Sequence, residues 1–427
     1  MTRAPRQTDH TAPPMRLELR TGAIAAGGGC VARSPDGRVV FVRHALPGEL
    51  VVAEVTAETT SYLRADAVEI VEAAPGRVAA PCPHAGPGRC GGCDFQHVTP
   101  EVQRVLKASL VTEQLQRLAG DDRPVVVEPA PSHADSLRWR TRVRFAVDRS
   151  GRVGLHAHRS HRVVPVEHCA IATEAVDGVG VGGHRWSGAV EVEVLTSGQG
   201  GVPVVSVRTG HRRLGDRPKL DAGRVVDGRT ERQPHQLTAQ VLGHRYRIST
   251  GVFWQVHPDA PELLVRTVLD GLGARPGDRV LDLYSGAGLF AVALAKAVGP
   301  TGSVTAVERS GRACADAAHN SAGLEQVEVV RHDVTAALVA GRPGPVDLVV
   351  LDPARQGVGP EVMEALASRS PTARRIAYVS CDPATFARDL RVMTDAGWSM
   401  PTLRVFDLFP MTEHVELVAV LDPPDSA

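Results

Sequence analysis

The stretch Asp282-Leu283-Tyr284-Ser285-Gly286-Ala287-Gly288-Leu289-Phe290 decides the fold. It follows the apolar run Val280–Leu283 and leads into a helical pattern at 288–298. Glycines at such a strand-to-helix turn let the backbone approach a ligand at the carboxyl end of a parallel sheet. Glu308 ends the next apolar run, where a carboxylate accepts hydrogen bonds from the ribose of a nucleoside. The stretch therefore predicts a nucleoside-binding turn in a Rossmann-like domain.

Around this turn, from about residue 251 onward, short apolar runs alternate with helical patterns, which predicts a doubly wound parallel sheet. The predicted strands are Val280–Leu283, Val304–Val307, Val327–Val330, Leu348–Leu351, Ile376–Val379, Thr402–Phe406 and Val415–Leu421. The predicted helices lie at 288–298, 311–323, 361–368 and 384–396. We therefore expect a seven-stranded α/β domain over 251–427.

Acidic side chains mark the ends of several of these strands. Asp282 and Glu308 are joined by Asp333 after the third strand and Asp352 after the fourth. So many carboxylates around one pocket suit a cationic ligand, such as a sulfonium with its α-amino group, better than a pyrophosphate. The glycine turn also fits the dinucleotide fingerprint, so a nicotinamide-dependent oxidoreductase is an alternative at this point.

The first 250 residues predict four further parts. Residues 1–14 are polar and are expected to form a disordered tail. Short strands separated by Gly- and Pro-containing turns over 15–73 predict a small β-barrel of the oligonucleotide-binding (OB) kind. Residues 74–123 contain a cysteine loop and a linking helix, and 124–250 predict a β-rich middle domain. The fold class is therefore α/β with an N-terminal barrel and a β-rich insert.

The charges are balanced in total but not along the chain. There are 48 basic and 48 acidic side chains, yet residues 1–270 hold 34 and 29 of them. Within Leu137–Phe145, period-two alternation places Arg138, Arg140, Arg142 and Arg144 on one strand face. This face predicts contacts with phosphates of a nucleic acid, with a solvated edge strand as the alternative.

No run of about 18 apolar residues occurs, so the sequence predicts no membrane-spanning helix. The N-terminus lacks the apolar core of a secretory signal. These features predict a cytoplasmic protein that does not associate with membranes.

Four of the seven cysteines suggest a metal or cluster site. Cys82, Cys90 and Cys93 form a C-x7-C-x2-C loop, and Cys169 follows at a distance. An odd count of cysteines without a signal does not fit a disulfide framework. Four thiolates suit zinc or an iron–sulfur cluster, and the spacing alone does not choose between them.

Another cysteine, Cys381, ends the fifth predicted strand, beside the Asp352 loop. A helix beginning near Ala384 is expected to lower the pKa of this thiol through its N-terminal dipole. This predicts a nucleophile, although a lone cysteine at a strand end is also a common core residue. Glu416 opens the last strand and, taken alone, predicts only a solvated carboxylate.

Three motifs here resemble the bacterial RNA 5-methyluridine methyltransferases. They are Asp352–Arg355 (DPAR), Tyr378–Asp389 (YVSCDPATFARD) and Phe409–Glu416 (FPMTEHVE), against family sequences close to DPPR, SCNP and FPxTxHVE. Phe253-Trp254-Gln255-Val256, the cysteine loop and a TRAM-type RNA-binding barrel extend the resemblance to most of the chain. The chain departs from the family pattern at Ala354, Asp382 and Ser285.

The resemblance implies a class I enzyme that transfers methyl from S-adenosylmethionine to carbon 5 of a uridine. It implies that Cys381 adds to carbon 6 of the base and that Glu416 removes the carbon 5 proton. Asp352 and Arg355 are implied near the uracil. The cofactor contacts implied are Gln255, Tyr284, Glu308 and Asp352, and strand-end position adds Asp333.

The resemblance also bears on cofactor and partner. Some branches of the family carry a 4Fe–4S cluster, which here would be held by Cys82, Cys90, Cys93 and Cys169, with zinc as the alternative. The implied partner is structured RNA, with 23S ribosomal RNA favoured and uridine 54 of transfer RNA as the alternative. The target base would be flipped out of its stack to reach Cys381. We expect the protein to act as a monomer.

Overall fold

A computed structural model describes residues 6–7, 14–132, 135–211, 213–215, 217–341, 344–369 and 373–424. At 6–7 it describes the backbone alone. Most of the tail predicted over 1–14 therefore lies outside the described residues. In the described part of the chain, no helix is both long and apolar enough to cross a membrane.

The N-terminal part is a curled, barrel-like sheet of seven strands. Alternating burial along β5 and β6 turns one face of each strand into the barrel core. The strands are β1 (Arg6–Gln7), β2 (Arg16–Arg20), β3 (Ile24–Ala25), β4 (Gly29–Arg33), β5 (Val39–Arg43), β6 (Leu50–Glu58) and β7 (Tyr62–Glu72). This confirms the predicted OB-like barrel.

The cysteine loop leads into the helix α1 (Pro100–Gln114), which starts with a proline in its first turn and ends in a π-helical turn, Leu115–Ala119. Buried side chains of α1 face two cores. Leu106 and Leu110 pack into the barrel core, whereas Val111 and Leu115 pack into the core of the C-terminal domain. The helix therefore packs against both the barrel and the C-terminal domain. The short strand β8 (Val127–Pro129) follows.

The middle of the chain is β-rich, as predicted. One sheet has the order β11-β10-β9-β12-β13-β14-β15, and β16 and β17 form a separate hairpin. The strands are β9 (Arg142–Val147), β10 (Val153–His156), β11 (Val163–Pro165), β12 (Ala189–Leu195), β13 (Val204–Thr209), β14 (Gly223–Val226), β15 (Arg229–Arg232), β16 (Gln236–Val241) and β17 (His244–Ser249). The short helix α2 (Glu174–Asp177) lies between β11 and β12.

All seven predicted strands of the C-terminal domain are present. They are β18 (Arg279–Leu283), β19 (Ser303–Glu308), β20 (Val327–Arg331), β21 (Leu348–Leu351), β22 (Arg375–Ser380), β23 (Ser399–Asp407) and β24 (Glu416–Asp422). Their order is β20-β19-β18-β21-β22-β24-β23, and β8 pairs with β23 as an eighth strand. The order reverses between β18 and β21, where open parallel sheets bind their ligands.

Helices cover both faces of this sheet. They are α3 (Ala260–Leu272), α4 (Leu289–Val298), α5 (Gly311–Asn320), α6 (Ala336–Gly341), α7 (Pro360–Ala367) and α8 (Pro383–Asp395). Because both faces are covered, β21 is buried at every residue and reads as a continuous apolar run. Helix α8 begins where the Asp382 side chain accepts a hydrogen bond from the Thr385 amide at 2.8 Å, with Pro383 in the first turn.

Candidate functional site

The glycine turn after β18 forms an open cradle. Gly286 has φ of +54°, and a Cβ built on it would meet nothing within 4 Å. The buried Ser285 hydroxyl has no hydrogen-bond partner among the described residues. An open backbone beside an unpaired polar group is what a bound nucleoside would fill.

Three predicted acids meet beside this turn. Glu308 accepts hydrogen bonds from the amides of Gly286 at 3.2 Å and Ser310 at 2.6 Å, so its carboxylate is held at the end of β19. Asp282 is fully buried, and neither of its oxygens makes a normal hydrogen bond in the described part of the chain. Burial raises the pKa of Asp282 well above its usual range, and the neighbouring Asp352 and Glu308 carboxylates raise it further.

Burial also raises the pKa of Asp352 to about 7. A ligand carrying positive charge would pair with Asp282 and Asp352 and relieve this repulsion. This buried cluster of acids therefore fits the α-amino and sulfonium groups of S-adenosylmethionine better than a pyrophosphate.

The other predicted cofactor residues lie in different settings. Tyr284 has a left-handed φ of +65° directly before the glycine turn, and burial raises its pKa to about 12. Gln255 is buried in the segment before α3. Asp333 is exposed, two residues beyond the edge strand β20, and within the described ranges no contact joins it to the acids of the pocket. Its role stays a prediction.

Cys381 and Glu416 come together at the same edge of the sheet. Cys381 directly follows β22, and Glu416 begins β24, the strand paired with β22. Glu416 is only 3% exposed. Burial raises its pKa well above the usual range, Asp352 raises it further, and the Arg355 guanidinium opposes the shift. A carboxylate whose pKa is raised in this way is a stronger base than an ordinary glutamate.

The prediction that the α8 dipole lowers the pKa of the thiol is wrong. Burial raises the pKa of Cys381 to about 12, and the acids Glu416, Asp352 and Asp382 add to this, while Arg355 lowers it. Asp382 stands where the family has Asn. It still caps α8, since both residue types do so, but it adds a negative charge beside the thiol.

Sequence reasoning missed the partner of Arg355. The Arg355 Nη2 atom lies 3.1 Å from the His414 Nε2 atom. Burial and the nearby Arg355 cation lower the pKa of His414 to about 4, so its ring is neutral and accepts this hydrogen bond. His414 therefore helps to hold Arg355, whose charge lowers the pKa of the Cys381 thiol. Its position inside the FPMTEHVE motif was the only signal in the sequence.

Asp389 was missed as well. Its carboxylate accepts hydrogen bonds from the amides of Val358 at 2.7 Å and Gly359 at 3.1 Å, and from the Tyr378 hydroxyl at 2.6 Å. It thereby fixes the loop that follows Asp352 onto α8. The residue lies in the motif Tyr378–Asp389, but nothing local in the sequence predicts its contacts.

The four predicted metal ligands lie near one another. The pKa of Cys93 is raised by burial and then by the neighbouring Cys169, Cys90 and Cys82 thiols. Two of the sulfurs accept N–H donors, Cys90 from the Gly92 amide and Cys93 from the Gln96 side chain, both at 3.4 Å. Across the described ranges, however, no three His, Cys, Asp or Glu side chains are close enough to hold a metal ion.

The arginine face is only partly as predicted. The strand starts at Arg142, and Arg138 has a left-handed φ of +54° outside it. The Glu193 carboxylate on β12 pairs with Arg142 at 2.7 and 3.1 Å and with Arg144 at 3.2 Å. Part of the positive charge is therefore neutralised within the protein. Val143 and Phe145 are buried in the core of this sheet, as the alternation predicts, whereas Trp139 lies before the strand and is buried in a separate cluster with Ile171 and Met411.

A Rossmann-like sheet with this strand order, an open glycine turn and a cluster of acids with the buried Asp282 at its switch point defines an S-adenosylmethionine-dependent methyltransferase. Three family models match the chain. They are tRNA (Uracil-5-)-methyltransferase over 344–422, TRAM domain over 23–68 and Methyltransferase small domain over 245–372.

Relatives match over almost the full length. An uncharacterized RNA methyltransferase from Streptomyces avermitilis is 46% identical, covering 95% of this chain and 98% of its own. Another from Bifidobacterium longum is 33% identical, covering 95% and 96%. The chain belongs to the RNA methyltransferases of the tRNA (uracil-5-)-methyltransferase family and carries an RNA-binding TRAM domain. This membership removes the nicotinamide-dependent alternative.

A solved structure supports the fold over most of the chain. The tRNA (uracil-54, C5)-methyltransferase of Pyrococcus abyssi, in complex with S-adenosyl-L-homocysteine, aligns with a TM-score of 0.71. The alignment covers 95% of this chain and 100% of that one, at 22% sequence identity. The two chains therefore share a fold over the aligned length.

Proposed function

We propose that this enzyme methylates carbon 5 of a uridine in structured RNA through a covalent adduct with Cys381. The observation that carries the proposal is the meeting of Cys381, Glu416 and Arg355 beside the acids of the cofactor pocket. A thiol and a carboxyl group with a raised pKa, next to a methyl donor, are the two groups that alkylation of a pyrimidine carbon needs.

Each residue has a defined task. The Cys381 thiolate adds to carbon 6 of the uracil, and the electrons of the double bond between carbons 5 and 6 form an enolate whose carbon 5 is nucleophilic. When bound, S-adenosylmethionine would supply the methyl group that carbon 5 takes up and would leave as S-adenosylhomocysteine. Glu416 then accepts the carbon 5 proton, the bond between carbon 6 and sulfur breaks, and the Cys381 thiolate is released.

Arg355 is the cation in contact with this chemistry. It opposes the three acids that raise the pKa of Cys381, so it stabilises the thiolate that must form. Its guanidinium also offers donors to a uracil carbonyl, in line with the proposed substrate role of Asp352 and Arg355. Because the thiol lies in a partly buried site, the uridine has to be flipped out of its stack.

Substitution of the two catalytic residues tests the mechanism. Cys381→Ala should abolish formation of 5-methyluridine in RNA, measured by transfer of labelled methyl. Glu416→Gln should still form the adduct and accumulate it as a protein–RNA band in denaturing gels. Cys30→Ala is the matched control, since Cys30 lies in the barrel core and should leave turnover intact. Full turnover by Cys381→Ala would refute the mechanism.

For the cofactor we propose contacts with Gln255, Tyr284, Glu308, Asp333 and Asp352. Support comes from the geometry of Glu308 and Asp352, and Asp333 rests on strand position alone. Calorimetry with S-adenosylhomocysteine should give a Glu308→Ala affinity at least several-fold weaker than wild type. Asp333→Ala is the informative comparison, because an unchanged affinity would show that Asp333 is not one of the cofactor contacts.

As the substrate we propose 23S ribosomal RNA, through the resemblance of the cysteine loop to family branches that carry a cluster. Uridine 54 of transfer RNA is the alternative. Mass-spectrometric mapping of 5-methyluridine in both RNAs, from cells with and without the gene, separates them. Loss confined to transfer RNA would overturn the ribosomal assignment. We further propose that the enzyme acts as a cytoplasmic monomer.

We also propose that Cys82, Cys90, Cys93 and Cys169 hold a 4Fe–4S cluster. The mutual proximity of the four thiols and the N–H donors to two of them support it, although the side chains would have to close in on the cluster. Anaerobic purification should give a brown protein with about four irons per chain. Stoichiometric zinc without visible absorbance would refute the assignment.

A further inference from the structure

The loop 408–415 joins β23 to β24 and controls two groups of the site. It carries His414, which helps to hold Arg355, and it leads directly into Glu416. Any shift of this loop would therefore move both the base and the cation that faces the thiol. What holds the loop in place matters for the reaction.

The loop is held by the N-terminal parts of the chain. From α1, the Lys107 ammonium donates to the Asp407 carboxylate at 2.5 Å and to the Phe409 carbonyl at 3.0 Å, and both charged side chains are buried. The Gln103 side chain accepts from the Met411 amide at 2.8 Å. Met411 has a left-handed φ of +66°, which costs energy in a non-glycine residue and persists only where neighbours impose it.

Glu413 forms the link to the barrel. Its carboxylate accepts a hydrogen bond from the Gly27 amide, in the turn between β3 and β4. Its own amide donates to the Asp94 carboxylate of the cysteine loop at 3.2 Å. A Cβ on Gly28, with φ of +70°, would lie 2.8 Å from the Asp94 Cβ, so the turn needs glycine to come this close.

We propose that Glu413 is a positioning residue, whose carboxylate fixes the catalytic loop to the barrel and so sets the placement of Glu416 and of the His414–Arg355 pair. The barrel is then part of the support of the active site, in addition to binding RNA. The proposal rests on the proposed function, because it assigns Glu416 the removal of the carbon 5 proton.

Two substitutions test it. Glu413→Ala removes the acceptor for Gly27, whereas Glu413→Gln keeps an oxygen that accepts the same bond. Glu18→Ala is the control, an exposed glutamate on strand β2 of the same barrel. We expect Glu413→Ala to lower kcat on the order of ten- to hundredfold, with unchanged affinity for S-adenosylhomocysteine, and Glu413→Gln to recover most of kcat.

An isotope effect separates positioning from a loss of structure. RNA carrying deuterium at carbon 5 of the uridine should give Glu413→Ala a larger effect on kcat than wild type, because a misplaced Glu416 makes proton removal slower. A general loss of folded enzyme would lower kcat without changing the isotope effect, and that result would overturn the proposal. Wild-type kcat in Glu413→Ala would overturn it too. Absence of 5-methyluridine with the wild-type enzyme would overturn the proposed function as well.

Discussion

Alkylation of Cys381 in the ligand-free enzyme gives a quantitative prediction. With a pKa of about 12, the thiolate makes up about 3 × 10⁻⁵ of the population at pH 7.5, against roughly one tenth for an ordinary cysteine. A thiolate of higher pKa is also more nucleophilic, and this roughly 40-fold gain in reactivity partly offsets the smaller thiolate fraction. Cys381 should therefore react with iodoacetamide about 100-fold more slowly than a free cysteine.

The assay follows modification of the Cys381 peptide by mass spectrometry between pH 7 and 10, with N-acetylcysteine as the chemical standard. The rate should rise about tenfold per pH unit without a plateau, because the pKa lies above the range. Arg355→Gln should react several-fold more slowly still, since it removes the cation that lowers the pKa. A plateau near pH 8 or 9, or faster reaction of Arg355→Gln, would refute the reasoning.

Three further predictions concern stability. Lys107→Met leaves Asp407 buried without its partner and should lower the free energy of unfolding by about 3–5 kcal/mol in urea titrations, and no loss would contradict the burial argument. Gly357→Ala should lower the free energy of unfolding by about 1–3 kcal/mol and slow methyl transfer. The reason is that Gly357 has φ of +78° and the new Cβ would lie 2.7 Å from the Asp389 carboxylate. An unchanged melting temperature would count against this prediction. Burial opposes ionisation of Glu49, but Arg77 and the Leu46 and Ala74 amides outweigh it and lower the pKa of that carboxyl. The pKa of Glu49 is lower in the folded than in the unfolded protein, so its ionised carboxylate stabilises the fold. This contribution is fully present above about pH 5 and is lost as the pH falls through the folded pKa. The difference in free energy of unfolding between wild type and Glu49→Gln should therefore become smaller as the pH falls from about 5 to 3. A difference that does not change with pH would refute the assignment.

The sequence predicted the catalytic sheet well because its strands are buried on both faces. Such strands are continuous apolar runs, and the acids at their ends, such as Glu308 and Asp352, are local signals. The strand β8 could not be found in this way. It has three residues, one of them Pro129, and pairs with β23 far along the chain.

Charges were harder to predict than strands, because their partners are distant in sequence. Alternation correctly places Arg142 and Arg144 on one face, but the Glu193 that pairs with both comes from β12. From the sequence alone we expect a lowered pKa for the Cys381 thiol, because only the helix that follows this residue directly in the chain is considered. Burial and the charges of Glu416 and Asp352, which come from distant parts of the chain, instead raise the pKa of the thiol.

The pairing of β8 with β23 has a practical consequence for expressing truncated forms of the protein. A fragment covering only 251–427 would contain every catalytic strand in sequence, yet it would leave β23 as a bare edge with unpaired backbone groups. It would also lose α1, whose Val111 and Leu115 fill the core beside α8 and whose Lys107 neutralises Asp407. Such a fragment should aggregate on expression, whereas one starting before Pro100 retains both features.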